Sequence, residues 1–205
     1  MFFGSGDLTS KLAQFLLSLP AVLWAISFHE FCHGYVAMRL GDPTAKLDGR
    51  LSLNPLDHID PVGALFLLLF RFGWAKPVPI NPSYFKHPKR DMAFVSLAGA
   101  AGNLLTAFVC IQLVKFFPFL FQNYALQQFM LIMIYMNVGL AVFNLIPIPP
   151  LDGSRVLYAF LPNKWLHIFY ELERYGMFII FALVLLGIIP RIMNSLMGFV
   201  LSLIY

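Results

Sequence analysis

The sequence predicts an all-α polytopic membrane protein of about four transmembrane helices, with a short β-hairpin and one re-entrant or surface segment. Three observations carry this. Hydrophobic residues make up 60% of the chain and charged residues only 12%, against about half and about a quarter in a soluble domain. Mean hydropathy is +0.77. Apolar runs near the roughly 20 residues needed to cross a bilayer recur along the chain, each closed by Pro or Gly. The same composition excludes disorder, collagen, a coiled coil and a disulfide scaffold. At 205 residues, residues 1–205 read as a single membrane-embedded domain.

The first apolar segment runs from about Leu12 to Leu40, before Gly41-Asp42-Pro43, and is long for one crossing. Pro20 is a candidate kink. The opening MFFGSGDLTSK lacks a basic stretch, so this segment is expected to be retained rather than cleaved. The second span is expected over about Met92–Phe117, the third over Leu126–Ile146 and the fourth over Tyr175–Ile189, before Pro190-Arg191. The stretch Ile192–Tyr205 is short for a span, and so is 61–74, which fits a re-entrant or surface segment. Residues 45–54 (AKLDGRLSLN) alternate around Asp48-Gly49 like a small hairpin. Cys32 and Cys110 lie inside apolar runs and read as packed thiols.

Basic residues orient the chain. Eight of the fourteen Lys and Arg residues fall between Arg39 and Arg90, which places that segment in the cytoplasm. The N-terminus and residues 118–125 are then external, and 147–174 is cytoplasmic. The net charge of +4 therefore reads as a topology signal, and no nucleic-acid partner is expected. The end of the first span and the end of the third share one side.

The first span carries His29, Glu30, Phe31, Cys32 and His33. Residues four apart on a helix sit one turn apart on one face. Two imidazoles so placed can bind one Zn²⁺ at about 2.0–2.1 Å each, and Glu30 can act as general base toward the attacking water. Three ionisable groups within five residues of a membrane helix need a compensating charge. Two histidines leave a catalytic zinc one protein ligand short. Asp57, His58, Asp60, His87, His167 and Asp152 are candidates. Topology favours Asp152, just past the third span, although an Asp there serves equally well as a helix cap.

HEFCHGYVA, GAAGN (99–103) and NLIPIPPLDG (144–153) together resemble the site-2 protease family of intramembrane zinc metalloproteases. GDPTAKLDGRLSLNPLDHIDPVG and FGWAKPVPINP resemble its compact prokaryotic branch. The resemblance covers about residues 20–175. It implies His29, His33 and Asp152 as ligands of one Zn²⁺ per chain, Glu30 as catalytic glutamate, and Asn144 as a catalytic asparagine that stabilises the oxyanion or holds the substrate backbone. Gly99 and Asn103 match a small-residue motif read as packing. No PDZ-like insertion is visible, and no span is seen before HEFCH.

The expected function is hydrolysis of a peptide bond in or near a transmembrane segment of a membrane protein substrate. The expected location is the plasma membrane, with the lipid bilayer as partner and the active site toward the cytoplasm. The alternative is a non-proteolytic metal-binding membrane protein, a zinc carrier or scaffold. Transporters usually spread ionisable groups over several helices in repeated halves, and no repeat is visible here. Residues 72–82 can offer a strand edge to a substrate or form a plain surface loop. His58 and Asp60 are candidates for orienting a ligand, or for turn and cap roles.

Overall fold

Thirty-two residues, Leu8–Arg39, form helix α1, which continues through Pro20. At about 1.5 Å per residue this exceeds a roughly 30 Å hydrocarbon core, so the helix reaches well past one crossing. The computed structural model describes residues 8–70 and 75–204. The expectations for the opening residues, and for 71–74 within the 61–74 and 72–82 segments, lie outside the described residues.

After α1 come α2 (Thr44–Leu47), α3 (Pro61–Phe70), α4 (Pro88–Phe116), α5 (Tyr124–Asn144), α6 (Asp152–Phe160), α7 (Leu166–Leu185) and α8 (Ile188–Ile204). Among the described residues three helices, α1, α4 and α5, are long and apolar enough to cross a membrane. The second and third spans thus sit within a few residues of their expected positions. The fourth differs. It starts at Leu166 rather than near Tyr175, and α7 and α8 meet at a bend of 80°. Gly187, at φ +71°, makes the break. Pro190 does not end a helix but lies in the first turn of α8, where a missing N–H costs no helical bond.

The hairpin expected over 45–54 does not form. Among the described residues the strand-like pairing is one isolated antiparallel bridge, Ile59 to Ala75. Buried Asp42 decides this. Its Oδ1 accepts from the Thr44 N–H and hydroxyl, which winds Thr44–Leu47 into a turn of helix, while its Oδ2 accepts from the Asn81 N–H at 2.7 Å. The N–H groups of Arg50 and Leu51 both donate to the Ala45 carbonyl, at 2.8 and 3.1 Å, so the chain curls back on Ala45. Helix α3 has ten residues. At about 15 Å it is too short to cross.

Helices α1, α4 and α5 pack against one another, α6 lies on α4, and α8 lies on α5. Ala21, Ala107, Cys110, Ile111 and Val138 fill the core between them. Gly102 lets α4 approach α1, because a Cβ there would lie 2.5 Å from the Cys32 sulfur. Both cysteines are free thiols. Leu105, Phe108 and Phe116 point outward from α4, as suits a surface solvated by lipid tails.

Candidate metal centre

On α1 the HEFCH spacing stacks His29 above His33, with both residues buried at 5% and 6% exposure. Their Nε2 atoms are 2.9 Å apart. Asp152 approaches from α6, and its Oδ2 lies 3.1 Å from each Nε2. Among the described residues these three form the group whose potential ligand atoms all lie within 4.8 Å of one another.

Local structure explains how a residue 123 positions beyond His29 reaches it. Helix α5 stops at Asn144, and Pro147, Pro149 and Pro150 prevent its continuation. The chain turns, and α6 begins at Asp152. Gly153 makes the turn tight, since the Leu145 carbonyl occupies the space a Cβ would need. Asp152 is not the cap. Leu151 holds that position, and Asp152 is the first helical residue with its carboxylate turned to the imidazoles. The α6 N-terminus favours its negative charge.

The far nitrogens of the imidazoles identify what the cluster needs. His33 Nδ1 lies 2.7 Å from the Val95 carbonyl, which can only accept, so Nδ1 carries a proton. His29 Nδ1 lies 2.7 Å from Asn103 Oδ1. The Asn103 amide is oriented by its own Nδ2, which donates to the Ala25 carbonyl at 2.9 Å and to Asn137 Oδ1 at 2.8 Å. His29 Nδ1 is therefore also a donor. Both Nε2 lone pairs then face each other and the Asp152 oxygen. A proton relieves one pair of three such acceptors, whereas a divalent cation relieves all of them. Tetrahedral zinc ligands at about 2.0–2.1 Å stand roughly 3.3 Å apart, close to the separations found. Two imidazoles and a carboxylate, with each ring held from behind, fit a zinc site. Gly99 supplies the room: a Cβ at that position would lie 2.5 Å from His33 Nε2.

Asn103 thus does more than the packing expected of GAAGN. Its partner His29 is 74 positions away, and no local pattern announces the bond. Glu30 is half-buried, and its Oε2 accepts from the Val78 N–H at 2.8 Å. Pro77 and Pro79 have no N–H, so Val78 supplies the one backbone donor of 77–79. Arg50 Nη2 donates to the carbonyls of Lys76 and Pro77, at 2.9 and 3.2 Å. The Lys76 N–H goes to the His58 carbonyl. Much of the strand edge considered for 72–82 is consequently already paired. Asn144 donates from Nδ2 to the Leu140 carbonyl of its own helix at 3.0 Å.

The other candidate ligands have separate tasks. His58 bonds the Ser52 carbonyl, and Asp60 caps the Gly63 N–H. His87 holds the N-cap position of α4, and exposed His167 bonds the Lys164 carbonyl.

Residues 111–187 match Peptidase family M50. The chain is also 41% identical over 163 residues to a Bacillus subtilis (strain 168) protein named "Putative zinc metalloprotease YwhC", covering 77% of this chain and 74% of that one. The chain belongs to peptidase family M50. This is the family of the site-2 proteases, and the resemblance read from HEFCHGYVA, GAAGN and NLIPIPPLDG is borne out. A second relative, "Putative zinc metalloprotease Rip2" of Mycolicibacterium smegmatis, is 29% identical over 189 residues, 89% of this chain and 71% of Rip2. The Methanocaldococcus jannaschii relative MJ0611 is 28% identical over 176 residues, 83% of this chain and 84% of that protein. No solved structure matches the chain. M50 membership and the three apolar helices identify a membrane-embedded protease of the zinc-metalloprotease class.

Proposed function

We propose that the protein is a site-2-type zinc endopeptidase. It cuts a peptide bond in or near a transmembrane segment of another membrane protein, from the cytoplasmic side of the plasma membrane. The observation that carries this is the meeting of His29 Nε2, His33 Nε2 and Asp152 Oδ2 within about 3 Å of one another (2.9, 3.1 and 3.1 Å), with Glu30 next to His29 on the same helix. The three residues would hold one zinc. A zinc held there would supply Lewis acidity, polarising a carbonyl and lowering the pKa of water toward neutral.

The chain's own groups do the rest. The Val78 N–H holds Glu30 Oε2 and leaves Oε1 free to take the proton from the attacking water. Glu30 then returns that proton to the departing amine. Asn144 keeps one amide N–H beyond its bond to Leu140, and donates it to the developing oxyanion or the substrate backbone. A helical substrate hides its amides, so it must unwind locally. Gly, Pro or Asn near the scissile bond lowers that cost by up to about 3 kcal/mol for Pro and about 1 for Gly.

Reconstitution of the full chain with a test transmembrane helix in vesicles tests this reading. A membrane-permeant zinc chelator is expected to stop cleavage, and stoichiometric zinc to restore it. Cleavage that survives complete metal removal contradicts the reading. So does zinc flux through the vesicle wall without any cleavage, which is the behaviour of a carrier.

A further inference from the structure

The polar chain that ends on His29 begins one residue further away, on α5. Asn137 is fully buried. Its Nδ2 donates to the Met133 carbonyl at 2.8 Å, and its Oδ1 accepts from Asn103 Nδ2 at 2.8 Å. Asn103 in turn donates to the Ala25 carbonyl and accepts from His29 Nδ1 at 2.7 Å. Each amide is oriented by a carbonyl that can only accept. The direction of the whole chain is therefore set, from Met133 on α5 through α4 to the imidazole on α1.

We propose that Asn137 is a positioning residue of the metal centre. Through Asn103 it holds His29 with the proton on Nδ1 and the Nε2 lone pair free for the cation. The proposal rests on the reading of His29, His33 and Asp152 as cation ligands.

The physical reason lies in what an Asn103 flip would do. A flipped amide presents N–H to His29 Nδ1, and the imidazole proton moves to Nε2. There it fills the lone pair a metal needs. In that orientation the Asn103 oxygen would also face Asn137 Oδ1, acceptor against acceptor. Asn137 thus penalises the wrong orientation as well as rewarding the right one. An apolar residue at 137 would leave the Ala25 carbonyl as the one group opposing the flip.

Zinc affinity of the full chain, purified in detergent or nanodiscs and measured by competition with a fluorescent chelator, tests this. Asn137→Leu and Asn137→Ala are expected to weaken zinc binding about tenfold or more, within the range typical of outer-shell partners. Asn137→Asp is expected to stay within about threefold of the wild type. Buried and neutral, its carboxyl offers an O–H to Met133 and a C=O to Asn103. Asn103→Ala combined with Asn137→Ala is expected to bind no more weakly than Asn103→Ala alone, because the two act in series.

Wild-type affinity in a folded Asn137→Ala or Asn137→Leu protein overturns the proposal. Fully additive losses in the double variant do so too, since they mean Asn137 acts only on overall stability. If Asn137→Leu does not fold, the Ala and Asp variants carry the comparison, with thermal unfolding of the metal-free proteins as the folding control. His33→Ala and Asp152→Asn separate the two levels. If both keep wild-type zinc affinity, the ligand assignment fails and the proposal with it. If both lose zinc while Asn137→Ala does not, only the proposal fails.

Discussion

Glu30→Gln is expected to keep its zinc and to cleave a reconstituted transmembrane substrate about 10³-fold more slowly, within the range for loss of a general base. Zinc content measures the first part and single-turnover cleavage the second. The two separate because Glu30 is absent from the cluster of potential ligand atoms formed by His29, His33 and Asp152. Gln is the informative replacement. It preserves volume and an oxygen that can accept from the Val78 N–H, the contact made at 2.8 Å by Glu30 Oε2. What it lacks is a basic oxygen to take the proton. Loss of zinc in this variant would make Glu30 a structural support of the centre. Cleavage at the wild-type rate would remove it from the mechanism.

Gly99→Ala is expected to lower zinc affinity about 100-fold and to abolish cleavage with it, a loss at the upper end of outer-shell effects. The added Cβ would lie 2.5 Å from His33 Nε2 and 2.6 Å from His29 Cε1, closer than atoms can approach. Neither ring can retreat cheaply. His33 is tied through Nδ1 to Val95 and His29 through Nδ1 to Asn103. Moving either ring breaks its bond, and moving α4 away opens the α1–α4 contact that Gly102 makes against Cys32. Overpacking of this kind costs about 1–3 kcal/mol, here concentrated on the ligand atoms. Gly198→Ala is the control, since nothing lies within 4 Å of its added Cβ. Zinc titration and cleavage of both variants check the prediction. Equal zinc affinity in the Gly99 and Gly198 variants would contradict the placement of Gly99 at the centre.

What could be read beforehand followed the range of the forces involved. HEFCH was legible because a helix turns four residues into one face, a purely local rule. The long apolar runs of α4 and α5 were legible for the same reason. Asp152 was not legible from spacing alone. Six residues competed as third ligand; topology favoured Asp152 but left a cap role equally open until the family resemblance, because the approach of α6 to α1 depends on a proline-bounded turn and on Gly153.

The hairpin failed where a local pattern met a distant tether. AKLDGRLSLN alternates like a strand, but Asp42 holds Thr44 and Asn81 together and winds the chain instead. The start of α7 was missed because Glu171, Glu173 and Arg174 interrupt the apolar run, and hydropathy marks solvent preference rather than helicity. Arg155 and Glu173 stand 3.9 Å apart in that region, a contact suited to water-facing helix. Asn103 was read as packing, since its bond to His29 spans 74 positions, and the Glu30–Val78 contact spans 48. Partners that far apart leave no period in a sequence.

Zinc K-edge X-ray absorption of the purified full chain tests the central claim most directly. Two imidazole nitrogens and one carboxylate oxygen at about 2.0–2.1 Å are predicted, with bound zinc lost from His33→Ala or, at saturating zinc, one imidazole fewer. Sulfur scatterers at about 2.3 Å, or an imidazole count unchanged in His33→Ala, would contradict it.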